Sequence, residues 1–162
     1  MIRRRLVTLL IVVVLAISNV SLAGRQADKA AAVEREVREV FDKWSTALIH
    51  GDKKTYLDTF WNSPRLVIRV ASGEWHGLDS YRKRIEAAQL PPGNATGLRK
   101  VEVVALGTDA AVVTYERPAP AQANVTAGES LVFRGTVAFT RTPDGWKIAA
   151  WHAHSVTEKG AQ

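Results

Sequence analysis

Two histidines two residues apart, His152 and His154, are the side chains in this sequence best suited to chemistry. They lie in a stretch that reads as the last β-strand. Alternate side chains of an extended chain share a face. Trp146, Ile148, Ala150, His152 and His154 are therefore expected together, with Lys147, Ala149, Trp151, Ala153 and Ser155 opposite. Imidazoles at i and i+2 stand about 7 Å apart at the backbone. Because imidazole titrates near neutral pH, His152 can act as acid or base on a bound small molecule, with His154, His76 and Tyr56 around it. A third ligand such as His76 would let the pair hold a metal, but no acidic partner adjoins them and no metal is assigned. The structural alternative packs one histidine at the sheet edge and leaves the other in water.

The aromatic share is heavy for a short domain: Trp44, Tyr56, Phe60, Trp61, Trp75 and Trp151. Such side chains either fill a core or line a cavity for a flat apolar ligand. Trp44 and Phe60 fit core packing. The ligand-binding candidates are Trp44, Tyr56, Trp61, His76, Tyr115 and Arg134. Arg134 either seats a carboxylate with its two-pronged guanidinium or faces water as an ordinary strand residue. Arg69 alternates with Ile68 and Val70 and so points away from them. Asp58 and Glu74 are the acids nearest the aromatic cluster, and neither matches a catalytic motif. Asp79 reads as a helix cap. The chain has no Cys, phosphate-binding glycine loop, nucleophile elbow or heptad run, and no cofactor is implied.

These candidates need elements to position them. Val33, Val37, Val40, Phe41, Trp44 and Leu48 form one apolar stripe at helical spacing, closed by Gly51. Asp52 can cap a short second helix bearing Tyr56, Leu57, Phe60 and Trp61, which Asn62, Ser63 and Pro64 break. A strand at 65–71, a turn at Ser72 and Gly73, and a return strand at 74–77 follow. Residues 78–89 read as a third helix and 91–94 as a loop. Strands at 98–106 and 110–117 flank Gly107-Thr108-Asp109. Residues 118–128 read as a long loop. Strands at 129–141 and 146–156 then flank Thr142-Pro143-Asp144-Gly145, a second hairpin. Early helices and late antiparallel strands give an α+β domain with helices on one face of a curved sheet.

This order resembles the nuclear transport factor 2-like superfamily, in its SnoaL-like and calmodulin-kinase-association-like branches. The matching segments are ALIHGDKKTYLDTFW (47–61), ASGEWHGLDSYRKRI (71–85) and TRTPDGWKIAAWHAHS (140–155). The resemblance spans about residues 30 to 156. It implies a cone: a curved antiparallel sheet wrapped around three N-terminal helices, with a cavity at the open end. Members include isomerases, dehydratases, cyclases and non-catalytic binding or assembly modules, so fold alone does not fix function. Many members carry a His where this chain has Ala150; His152 sits at a second usual His position, and His154 where Ser or Thr is commoner. The resemblance thus implies a binder of a small, partly apolar molecule, with cofactor-free isomerisation, dehydration or cyclisation as its chemistry. The alternative is a non-catalytic module, and a homodimer is implied either way.

The N-terminus sets the compartment. Arg3, Arg4 and Arg5 precede a nearly unbroken apolar run over 6–20, and Ser21-Leu22-Ala23 supplies small residues at a cleavage site. That is the layout of a secretory signal, cleaved near Ala23, with retention as an anchor the alternative. The expected organisation is a signal at 1–23, a polar linker at 24–29 and the domain at 30–158. Export makes the protein secreted or periplasmic, with no membrane association after cleavage. Removing the three arginines lowers the formal charge from +6 to +3, and the remaining basic residues are scattered among acids. No nucleic-acid partner is expected.

Overall fold

The computed structural model describes residues 2–88, 97–118 and 129–159, with no side-chain description for residues 2–23, 129 and 159. The expected loop at 91–94 and, apart from Pro118 at the end of a strand, the expected loop at 118–128 lie outside the described residues. So do the side chains of the expected signal segment.

The first helix, α1 (Ile2–His50), ends where the sequence supplies a residue that tolerates left-handed backbone. Gly51 takes φ 69°. Its N–H bonds the Leu48 carbonyl at 3.4 Å, and the Asp52 N–H bonds the Ala47 carbonyl at 2.9 Å. These paired bonds are the closing signature of a Schellman end. Val33, Val37, Phe41 and Trp44 are buried as their spacing predicts. Residues 24–29, expected as a linker, continue α1 instead. Only Gly24 opposes helix there, and Ala27, Ala30, Ala31 and Ala32 favour it.

Asp52 caps α2 (Lys53–Asp58), its carboxylate accepting from the Thr55 N–H at 3.0 Å. β1 (Val67–Val70) and β2 (Gly73–His76) form a small hairpin that leads into α3 (Leu78–Ala87). The cap of α3 is Gly77, at φ 75° and with no side-chain bond, which corrects the expected role of Asp79. Asp79 lies in the first turn, where its charge meets the positive end of the helix. The long strands β3 (Arg99–Ala105), β4 (Ala110–Pro118), β5 (Glu129–Thr142) and β6 (Gly145–Lys159) complete an open, strongly bent sheet in the order β2-β1-β6-β5-β4-β3.

The sheet is mixed rather than wholly antiparallel, because β1 runs parallel to β6. The chain already runs parallel to β6 just before β1, where Phe60 bridges Ile148. The Ile148 N–H donates to the Thr59 carbonyl and the Trp61 N–H to the Ile148 carbonyl, each at 2.9 Å. After the turn at 62–66, β1 continues in that direction.

At this crossing β6 also carries a bulge. Ala150 pairs with Ala138, but the next β5 residue, Phe139, pairs with Ile148, so Ala149 has no partner on β5. One extra residue reverses the alternation beyond it. Trp146 and Ile148 face the core, and past the bulge Trp151 and Ala153 do.

Glu36 ties α1 to the β5–β6 hairpin. Its carboxylate accepts from Trp146 Nε1 at 2.8 Å and from the Arg141 guanidinium at 2.6 Å. The Arg141 guanidinium also lies 4.6 Å above the Trp146 ring. The Trp146 bond first, and Arg141 second, hold the Glu36 carboxyl below its ordinary value.

Candidate functional site

A cavity of about 250 Å³ opens between the last turns of α1 and the inner face of the sheet. α1 contributes Trp44, Ser45, Leu48 and Ile49; the end of β1 and its turn contribute Val70, Ala71 and Ser72. Leu98 closes one side. Tyr115 and Arg117 come from β4, Phe133 from β5, and Trp151 and Ala153 from β6.

The space has a local cause. Tyr115, Gly135 and Ala153 form one cross-strand row. Two of these three positions carry almost no side chain, so a layer that large residues would fill is left partly open. The Tyr115 ring occupies the room over Gly135. The wall beneath is aromatic: Trp44 meets Trp151 edge-on at 5.2 Å between ring centroids and Tyr115 at 6.0 Å.

Polar groups on this wall are few. Trp151 Nε1 donates to the Tyr115 hydroxyl oxygen at 3.0 Å, and burial raises the Tyr115 phenol above its ordinary value. Ser45 Oγ donates to the Asp42 carbonyl at 3.0 Å. The indole N–H of Trp44, a residue 1% exposed, points to the Tyr56 hydroxyl below the cavity, at a geometry short of a full hydrogen bond. Arg117 is the one charged lining residue among the described residues, its guanidinium 5.0 Å from the centroid of the Phe133 ring. Among the described residues no carboxylate or imidazole lines the cavity. Segments 89–96 and 119–128, outside the described residues, contain no Asp, Glu, His, Lys, Arg, Cys or Tyr in their sequence.

Of the sequence candidates, Trp44 and Tyr115 line this cavity. The others lie elsewhere. Tyr56 is buried in the core beneath it, where its hydroxyl and that of Tyr81 share a 2.6 Å hydrogen bond. Burial raises the Tyr56 phenol well above its ordinary value and pushes Tyr81 up to about 12. Trp61 is half-buried at the exit of α2 and does not reach the cavity.

His152 and His154 are exposed on the outer face of the sheet, stacked with ring centroids 5.4 Å apart. The bulge at Ala149 corrects the expectation that they share a face with Trp146 and Ile148. His76 lies on the same outer side, its Nε2 2.7 Å from the Glu74 carboxylate, which also accepts from Arg69 at 2.9 Å. Arg134 is exposed there too, donating to Glu116 at 3.0 Å and Glu158 at 2.6 Å. Lys100 reaches Glu116 at 2.9 Å and is the main reason the Glu116 carboxyl is held below its ordinary value. Arg134 therefore takes the water-facing role, its guanidinium already engaged by two acids. Among the described residues no group of three His, Asp or Glu side chains is placed to hold a metal ion.

Arg117, Phe133, Ser72 and Ala153 escaped the sequence reading. Alternation from Tyr115 marks Arg117 as its neighbour on one face, but only the β4–β5 register places Phe133 beside it.

With fold and cavity described, the family follows. The chain matches the SnoaL-like domain over residues 37–157 and belongs to that family. It shares the fold of the nuclear transport factor 2-like superfamily. A cystatin-like fold protein from Burkholderia xenovorans LB400 superposes with a TM-score of 0.67 at 27% identity, over 77% of this chain and 92% of that one. An NTF2-like protein of unknown function from Pseudomonas putida KT2440 gives 0.62 at 20% identity, over 76% and 87%. A ketosteroid isomerase-like protein from Erwinia carotovora atroseptica gives 0.59 at 14% identity, over 77% and 97%. No curated protein matches the sequence.

Proposed function

We propose that this protein is an exported binding domain that holds a small, largely apolar molecule in the cavity between α1 and the sheet, without transforming it. The observation that carries this reading is the lining itself: aromatic and aliphatic walls, with no carboxylate or imidazole among the described residues. Isomerisation, dehydration or cyclisation by proton transfer needs an acid or base within hydrogen-bond reach of the bound molecule. The groups sequence reasoning offered for that task, His152 and His154, face outward. Tyr115, whose proton burial holds more tightly, is the nearest substitute. Export rests on the N-terminal sequence alone, with its three arginines, apolar run and Ser21-Leu22-Ala23. From the resemblance we also propose a homodimer through the outer sheet face. Arg134 between Glu116 and Glu158 gives that face charges of both signs that two copies can match.

The binding reading is tested with 2-naphthol, a flat neutral probe, by calorimetry and thermal shift on wild type and Ala153→Leu. The larger side chain fills the cavity floor. Wild type should bind and be stabilised, and the variant should fold and not bind. Equal behaviour of both proteins, or no binding to either, refutes the cavity as the site. Sedimentation equilibrium of wild type tests the pairing.

A further inference from the structure

Two polar side chains of the cavity, Tyr115 and Arg117, carry donors that meet no acceptor among the described residues. The Tyr115 oxygen accepts from Trp151 Nε1, which leaves its own O–H without an acceptor among the described residues. Arg117 brings a full positive charge to the rim and makes no ion pair among the described residues. Three other strand arginines, Arg69, Arg134 and Arg141, each hold a carboxylate within 3.0 Å. A half-buried guanidinium beside apolar walls and without a counter-charge favours an anion. Its Cζ sits 5.0 Å from the Phe133 ring centroid, a contact that holds the guanidinium at the rim. The same charge is close enough to oppose the rise in the Tyr115 phenol, which places the two donors in one neighbourhood.

Resting on the cavity reading above, we infer that the ligand is an amphipathic anion: a flat apolar body between Trp44, Trp151 and Leu48, with a carboxylate or similar oxyanion at the rim. Arg117 and the Tyr115 hydroxyl hold that head. Neither residue transforms it. The apolar body sets affinity, and the rim sets the preference for an acid over a neutral molecule of the same shape.

The test compares 2-naphthoate with its neutral counterpart 2-naphthamide, by calorimetry, on wild type, Arg117→Gln, Arg117→Lys and Tyr115→Phe. Wild type should prefer the carboxylate by about tenfold or more, the size of one charge-assisted contact. Arg117→Gln should bring the two affinities within about twofold of each other. Arg117→Lys should retain part of the preference, and Tyr115→Phe should weaken the carboxylate more than the amide. Equal affinities in wild type, or a preference that survives Arg117→Gln, overturn the inference and leave the cavity reading intact. Binding of neither probe overturns both.

Discussion

The Tyr115 ring lies directly against the backbone of Gly135 on the neighbouring strand, in the space where any other residue would place its Cβ. A methyl group there would overlap the ring at Cζ, Cε1 and the hydroxyl oxygen. These atoms belong to a buried side chain braced by Phe41, Trp44 and Trp151, so the ring cannot simply swing aside. Gly135→Ala should destabilise the fold by roughly 1–3 kcal/mol, the usual cost of overpacking. It should also displace the Tyr115 hydroxyl from Trp151 and so change the tryptophan emission. Urea denaturation followed by fluorescence measures both. Wild-type stability and emission in the variant would contradict the geometry.

Beneath the cavity, the Tyr56 and Tyr81 hydroxyls satisfy each other in a site closed to water. Removing one leaves the other buried and without its partner, at a cost of about 1–3 kcal/mol. Tyr56→Phe and Tyr81→Phe should each show it. The double variant should lose less than the sum, because no orphaned hydroxyl remains. Additive losses in chemical denaturation would mean the two hydroxyls do not depend on each other.

Much of this arrangement was legible in the sequence. The stripe Val33, Val37, Phe41 and Trp44, the Gly51 stop and the Asp52 cap are local features, read from neighbours within a few turns. The order of helices and strands followed from the same kind of signal. The site was less legible because it depends on pairing between distant strands. Strict alternation along β6 puts His152 with Ile148, and one unpaired residue at Ala149 separates them. That bulge arises where β6 exchanges Phe60 for β1 as its neighbour, a contact between segments some ninety residues apart. Likewise, Arg117 gains its position from Phe133 across the β4–β5 register, and nothing in either strand alone announces the pair.

The tie between α1 and the last hairpin should be pH-dependent through Glu36. Trp146 and Arg141 stabilise its ionised form, so the folded carboxyl sits below its ordinary value of 4.5. Its contribution is therefore complete above pH 4.5 and is lost as pH falls through the lowered folded value. Glu36→Gln should melt at a lower temperature than wild type at pH 7. The gap should close as both proteins are taken down through the acidic range. Melting curves of the two proteins across pH 7 to 2.5 provide the check, and a gap that does not change with pH would rule out the charge as its source.

The outward placement of His152 and His154 makes a sharp prediction about function. Their side chains are exposed on the face opposite Trp151 and Ala153, with the thickness of the sheet between them and the cavity. Across the strands they neighbour Arg69, Thr136 and Arg134, none of which lines the cavity. Replacing both with alanine removes no group from the ligand's surroundings and opens no core space. His152→Ala/His154→Ala should therefore keep its 2-naphthol affinity within about twofold of wild type, as expected for sites that share no partner. Ala153→Leu, the residue between them in sequence, should abolish binding in the same assay. If the histidine pair proves essential and Ala153→Leu harmless, the faces of β6 are reversed and catalysis at His152 returns as the leading reading.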